Sequence, residues 1–153
     1  MARSFKACSA AVAVAAADEI LQLLAGSTTP CIITGITISN TSDYADAQAE
    51  GLEVSINRFA TNGSGGTAIA SSPGEVGDTP DAVVTGAGGT HAMGTRTRLW
   101  AEAWNIQAPF KWRPTPEEYI TVPAAGNLVV LIDGTPADPV TCIVGIEWLE
   151  IGG

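Results

Sequence analysis

Apolar and polar residues alternate in short runs along most of this chain, and Gly, Pro, Asn, Asp and Ser divide the runs. A period of two sends successive side chains to opposite faces of a β-strand. Residues 51–59 (GLEVSINRF) show it clearly: Leu52, Val54 and Ile56 face one way, Glu53, Ser55 and Asn57 the other. Residues 140–151 repeat the pattern, with Cys142, Val144, Ile146 and Trp148 on one face and Ile143, Gly145 and Leu149 on the other. Residues 31–39 (CIITGITIS) are rich in β-branched side chains, which suit a pleated, half-buried surface. In residues 5–14, Val12 and Val14 alternate with alanine, and residues 96–106 (RTRLWAEAWNI) place Trp100, Glu102 and Trp104 together. Shorter strands are predicted at 82–85, 119–122 and 127–133. Residues 18–24 (DEILQLL) fit a strand or one helical turn, since Ile20, Leu23 and Leu24 share a helical face. Residues 109–116 (PFKWRPTP) read as extended, because proline restricts the residue before it. Gly126, Asp133-Gly134 and Pro136 supply turns. The sum is seven to nine short strands and little helix, an all-β chain of the antiparallel β-sandwich or jelly-roll-like class.

The 153 residues suit a single domain. The domain is expected to carry an extended N-terminal segment and a long Gly-rich loop near 61–95, containing NGSGG, SSPGEVGDTPD and GAGG and divided by the short strand at 82–85. Loops of that length without structure of their own are uncommon in compact domains, so this one is expected to be mobile or held by neighbouring chains. Arg3 and Lys6 precede an apolar run, 7–17, as in a secretory signal. The run is made largely of alanine and lacks a Leu or Phe centre, so it is expected to be retained. No run of 18 apolar residues exists to form a transmembrane helix.

Composition narrows the partners. Hydrophobic residues make up 46% of the chain and charged residues 15%, against about 25% charged in ordinary domains. That leaves neutral surface for other subunits to cover. The net charge is −9, with seven Lys and Arg, and the pI is about 4.3. Binding to nucleic acid or to an acidic membrane needs a basic face, so neither is expected. Cys8, Cys31 and Cys142 are odd in number and widely spaced, with no C-x-x-C pair. Buried free thiols are the favoured reading, and one disulfide with a leftover thiol is the alternative.

Catalytic chemistry finds little support. His91 is the only histidine and lies in GAGGTHAMG, where a solvated loop side chain is expected rather than a rigidly held general base. There is no G-x-S-x-G and no P-loop lysine. Glu117-Glu118, on an extended segment, would point to opposite sides. Asp43, Asp46 and Glu50 crowd one loop without the spacing of a calcium loop, and turn chemistry explains them. No cofactor, metal or catalytic residue is assigned. Among the aromatic residues, Trp100 and Trp104 read as core. Phe110 and Trp112, flanking Lys111, form with Arg113 the candidate protein–protein interface, since aromatics and Arg dominate interface energies. The same two rings could instead stack on a sugar in a secreted carbohydrate-binding module.

Four stretches resemble small phage and prophage virion proteins: MARSF, ITISNTSDYADAQAEGLEVSINR, LWAEAWNIQAPFKWRPTPEEY and EWLEIGG, about half of the chain. They carry no catalytic signature, and no site residue is transferred from them. The resemblance implies a non-enzymatic β-sandwich that decorates or cements the phage head, or else a neck, tail or fibre-anchoring part. It implies the major capsid protein or other virion proteins as partners, a homo-oligomer (dimer or trimer), and location in the virion after assembly in the host cytoplasm.

Overall fold

The computed structural model describes residues 2–42 and 50–152. Fifteen strands and one 3-10 turn follow in chain order among the described residues. They are β1 (Ala2–Cys8), β2 (Val12–Val14), β3 (Asp18–Leu24), β4 (Cys31–Asn40), β5 (Gly51–Thr61), β6 (Ser64–Gly65), β7 (Ala68–Ile69), β8 (Ser71–Pro73), β9 (Val83–Gly86), β10 (Gly89–Thr90), β11 (Met93–Asn105), β12 (Phe110–Trp112), η1 (Pro116–Glu118), β13 (Ile120–Val122), β14 (Asn127–Ile132) and β15 (Val140–Ile151).

They form two antiparallel sheets packed face to face, with a two-stranded ladder in addition. The first sheet runs β12-β4-β15-β1-β8, with β13 on β4 and β2 on β15. The second runs β11-β5-β14-β3-β9-β7, and β6 pairs β10 apart from both. The period-two reading holds at β15, where Cys142, Val144, Ile146 and Trp148 are at most 1% exposed and Ile143, Gly145 and Leu149 are half-buried on the outer face. Leu52, Val54 and Ile56 of β5 meet them from the second sheet in one continuous core. Phe5 stacks on Trp148 with ring centroids 5.7 Å apart, a contact worth about 0.5–1.5 kcal/mol beyond its buried area. Residues 18–24 settle as strand β3, because β14 and β9 pair it on both sides.

Two expectations change. The strand count exceeds seven to nine, and the excess lies in two- and three-residue strands that leave little periodic trace. The Gly-rich stretch holds β6 to β10. Within it, β7 extends the second sheet and β8 the first, so the chain between them crosses from one sheet to the other. The strand signal at 5–14 resolves into β1, paired along its length with β15 and at residues 5–7 with β8, and β2, paired with β15.

One buried charge ties three distant segments. Glu150 is wholly buried on the inward row of β15. Its carboxylate accepts from Arg3 Nη2 at 3.0 Å, Asp81 N at 3.0 Å, Ala82 N at 2.9 Å and Trp148 Nε1 at 3.3 Å. A buried carboxylate is costly unless paired and hydrogen-bonded, and this one is both. The knot fastens β1 and the 79–82 loop to β15, and Arg3 also reaches Asp81 and the Thr79 carbonyl.

All three cysteines are free, but only Cys31 and Cys142 are buried; Cys8 is exposed, because it points outward from β1. Burial, with the nearby charges of Glu150 and Asp81, pushes the Cys31 thiol up to about 12. Burial, with Asp18 nearby, pushes Cys142 up to about 11. Since the thiolate is the reactive form, thiol titration of the native chain should find Cys8 alone reactive, and all three only after unfolding. Rapid native labelling of Cys31 or Cys142 would contradict this packing.

Candidate functional site

The residues singled out from the sequence meet on one side of the sandwich, where β11 and β12 form the edges of the two sheets. β12 pairs with β4 so that Phe110 lies opposite Ile38 and Trp112 opposite Ile36. Ile36 and Ile38 face the core, so both rings face it too, and they are 6% and 7% exposed. Trp100, half-buried on β11, lies 5.6 Å from Phe110 and 6.3 Å from Trp112 between ring centroids. Trp104 is buried and donates Nε1–H to the Ala108 carbonyl at 2.7 Å. The aromatic cluster thus seals the side of the sandwich from within. Phe110 and Trp112 are wall, with little ring surface left for a partner or a sugar. Their alternation around exposed Lys111 was the available signal, hidden by the flanking prolines.

Arg113 is brought to the surface and tied down. Its guanidinium makes a two-pronged pair with Glu147, at 2.5 and 2.9 Å. It lies across Gly35, where an added Cβ would come within 3.0 Å of Nη1. The Arg113 hydrogen bond holds the Glu147 carboxyl below its ordinary range against partial burial, helped by the charges of Arg113 and Lys6. Lys6 sits beside Glu147 on β1, so a row of charges, Lys6–Glu147–Arg113, crosses the outer face of the first sheet. Around it that face carries Ile32, Thr34, Thr37, Thr141, Ile143 and Leu149, all half-buried. A shallow groove of about 220 Å³ follows Gly35 and Gly145 between Lys6, Thr37 and Glu147.

A second polar group, which sequence reading missed, covers the outer face of the second sheet. Ser55 and Asn57 are wholly buried on β5. Arg96 donates to Asn57 Oδ1 at 2.6 Å, to Ser55 Oγ at 2.7 Å and to both Asp133 oxygens at 2.8 and 2.6 Å. Ser55 also donates to Asp133. Burial alone would raise the Asp133 carboxyl, but the hydrogen bonds from Arg96 and Ser55, with the charges of Arg96 and Arg98, hold it below its ordinary range. These residues lie far apart in sequence, and no local pattern joins them.

His91 departs most from expectation. It is wholly buried rather than solvated. Its Nε2 lies 3.3 Å from Thr85 Oγ1, and its Nδ1 lies 3.8 Å from Glu19 Oε2. The order hydroxyl, imidazole, carboxylate is that of a nucleophilic relay. Here, however, the imidazole has no exposed surface. The described grooves beside Gly35 and Gly145, beside Cys8 and Ala68, and between β11 and β12 are lined by other residues. Glu117 and Glu118 stand on the 3-10 turn η1 rather than on an extended segment, and Glu118 caps it through Thr115. Asp43 and Asp46 lie outside the described residues, while Glu50 accepts the Ala137 N–H at 2.7 Å. Among the described residues, no group of three or more His, Cys, Asp and Glu is placed to hold a metal ion. No helix among them is long and apolar enough to cross a membrane.

Comparison with protein-family models, curated proteins and solved structures finds no match to this chain.

Two measurements test this geometry. Trp112→Ala should lower the stability of the isolated chain by about 3–5 kcal/mol, the cost of emptying a core Trp site; an unchanged melt would mean that the ring is not wall. Asp133→Asn should destabilise by about 1–3 kcal/mol at neutral pH, as charged hydrogen bonds are lost. A lowered carboxyl stabilises above its ordinary value, about 3.9, and loses that contribution as pH falls through the folded value. In urea titrations the gap between Asp133→Asn and parent should therefore narrow toward acid. A gap constant across pH would exclude a charged Asp133 as its source.

Proposed function

We propose that this chain is a non-enzymatic virion structural protein, a decoration or cement protein that binds the phage head through the outer face of its first sheet. The observation that carries the reading is that face itself. It is a broad antiparallel surface of half-buried aliphatic and threonine side chains, crossed by the row Lys6–Glu147–Arg113, with exposed Lys111 opposite Thr37 at its edge. Monomeric proteins rarely leave large apolar patches uncovered, and interface centres are depleted of charge. Ile143 and Leu149 lie near its middle on β15, and the charge row offers a partner a fixed polar register. The net charge of −9 keeps the free subunit soluble before it docks. The resemblance of about half the chain to phage virion proteins supplies the setting, with the major capsid protein as partner and two or three copies meeting around a symmetry axis. The burial of Phe110 and Trp112 moves the docking surface away from those rings, while Arg113 stays within it.

The test is co-sedimentation of the purified chain with heads of the phage that encodes it. The parent should pellet with heads in a fixed ratio. Ile143→Glu with Leu149→Glu should remain in the supernatant while melting like the parent, because both side chains point outward. A parent that stays in the supernatant at saturating head concentration, or a double variant that pellets equally well, would overturn the proposal.

A further inference from the structure

An edge strand carries a row of backbone N–H and C=O groups without partners, and folds guard such edges by keeping them short or by placing Lys, Pro or bulges on them. Most edges here are guarded. β7 has two residues, and β8, β12 and β13 have three each. β8 ends in Pro73, and Pro109 and Pro114 flank β12. β11 is the exception. It closes the second sheet with 13 residues and contains neither Lys nor Pro. Its two register shifts fall between Met93 and Arg96 and between Arg98 and Trp100, so residues 100–105 pair regularly with β5. Ala101, Glu102 and Ala103 are exposed.

The bonding of β5 fixes which groups of β11 are open. Ile106 N–H donates to the Glu50 carbonyl at 3.2 Å, and Asp133 N–H donates to the Glu53 carbonyl at 2.8 Å. Bonding alternates from side to side along an antiparallel strand. Even-numbered residues of β5 therefore bond toward β11 and odd-numbered ones toward β14. Ala101, Ala103 and Asn105 lie opposite Ser55, Glu53 and Gly51, so their backbone N–H and C=O groups point off the edge. The Asn105 carbonyl accepts the Ala108 N–H at 3.0 Å, whereas Ala101 and Ala103 meet no further backbone partner among the described residues. Their side chains are methyl groups, which leave room for a second strand.

We propose that two copies of this chain pair antiparallel along β11, about a two-fold axis beside Ala103, and so join their six-stranded second sheets edge to edge. One register fits. With Ala103 opposite the partner's Ala103, the two exchange both hydrogen bonds, and Ala101 meets the partner's Asn105 in the next bonded pair. An axis at Glu102 would set two carboxylates directly opposite each other, which destabilises a ladder. An axis at Ala101 would run Ala103 into the irregularity between Arg98 and Trp100, and one at Arg98 would oppose two arginines. The favoured register also matches charge. Glu102 and Lys111 line one groove of about 260 Å³ with Trp104 and Phe110, and neither is in an ion pair among the described residues. Opposite the partner's Trp104, Glu102 reaches into the matching groove toward the partner's Lys111, and the two-fold axis repeats the contact, as in any isologous interface. The pairing deepens the reading that copies meet around a symmetry axis, on which it rests for its setting, and it leaves the outer face of the first sheet free to dock.

Sedimentation equilibrium of the free chain at low salt tests it. The bonded segment is short and small contacts associate weakly, so the mean mass should climb from 15.6 kDa toward twice that between about 10 μM and 1 mM. Amide exchange at Ala101 and Ala103 should slow over the same range. Ala103→Pro should melt like the parent, since the lost N–H bonds nothing within the chain and proline is accepted at such edge positions, and it should stay monomeric. Glu102→Lys and Lys111→Glu should each weaken pairing about fivefold or more, by setting like charges together. An equimolar mixture of these two variants should pair more tightly than either alone, because opposite charges meet again in the mixed dimer; damage within one chain would not be repaired by mixing. Ile143→Glu with Leu149→Glu should pair like the parent, which separates failure of pairing from failure of head docking. A parent that remains monomeric throughout, a folded Ala103→Pro that still pairs, a mixture no tighter than its components, or loss of pairing in the Ile143 and Leu149 double variant would each overturn the proposal.

Discussion

The inward row of β15 is the contact on which the other elements depend. β4 and β1 pair the strand on either side through most of its length, so its alternate residues are fixed in one plane. Val140, Cys142, Val144, Ile146 and Trp148 then form an apolar strip that the second sheet must cover. Aliphatic burial at roughly 25 cal/mol per Å² drives that closure, but it does not specify which loops end where. The charged end of the strip does. Glu150, as deep as its apolar neighbours, is stable only when Arg3 and the amides of Asp81 and Ala82 reach it. One buried carboxylate therefore dictates the position of the N-terminal strand and of a loop about seventy residues away.

The two outer faces of the sandwich are handled differently. On the second sheet, Ser55 and Asn57 are buried beneath Arg96, Asp133 and neighbouring segments, and a glycine-rich stretch closes over Thr85 and His91. Most of the polar groups there bond within the chain, although Gln22 Nε2 and His91 Nδ1 are buried without a hydrogen-bond partner. On the first sheet nothing of the kind happens. Its outer residues are mostly small, β-branched or aliphatic, and its charges are one row, Lys6–Glu147–Arg113, and Lys111 at the edge. The proposed docking role draws on that asymmetry rather than on any pocket.

Glycine has two roles in this arrangement. At Gly35 it lets a guanidinium lie flat on a sheet, and at Gly66 and Gly89 it lets backbone close on an imidazole. In both cases the missing side chain makes room for a particular charged or titratable group. Gly-rich composition here marks close approach, where by itself it would read as freedom of the chain.

The strand pattern was legible from the residues alone wherever a strand has one buried and one wet face. Period-two alternation is a local consequence of backbone geometry, which is why β5 and β15 and the all-β class could be read directly. The inward turn of Phe110 and Trp112, the burial of His91 and the linkage of Arg96 to Asp133 could not. Each depends on which strand becomes a neighbour: Ile36 and Ile38 beside β12, Glu19 and Thr85 beside His91, Ser55 and Asn57 beneath Arg96. His91 alone takes partners 6 and 72 residues away, and no periodicity extends across such gaps. The sequence by itself determined which side chains would share a face. Tertiary pairing decided which faces met, because hydrogen bonding between strands is blind to side-chain identity, and only the burial of the assembled whole selects the register.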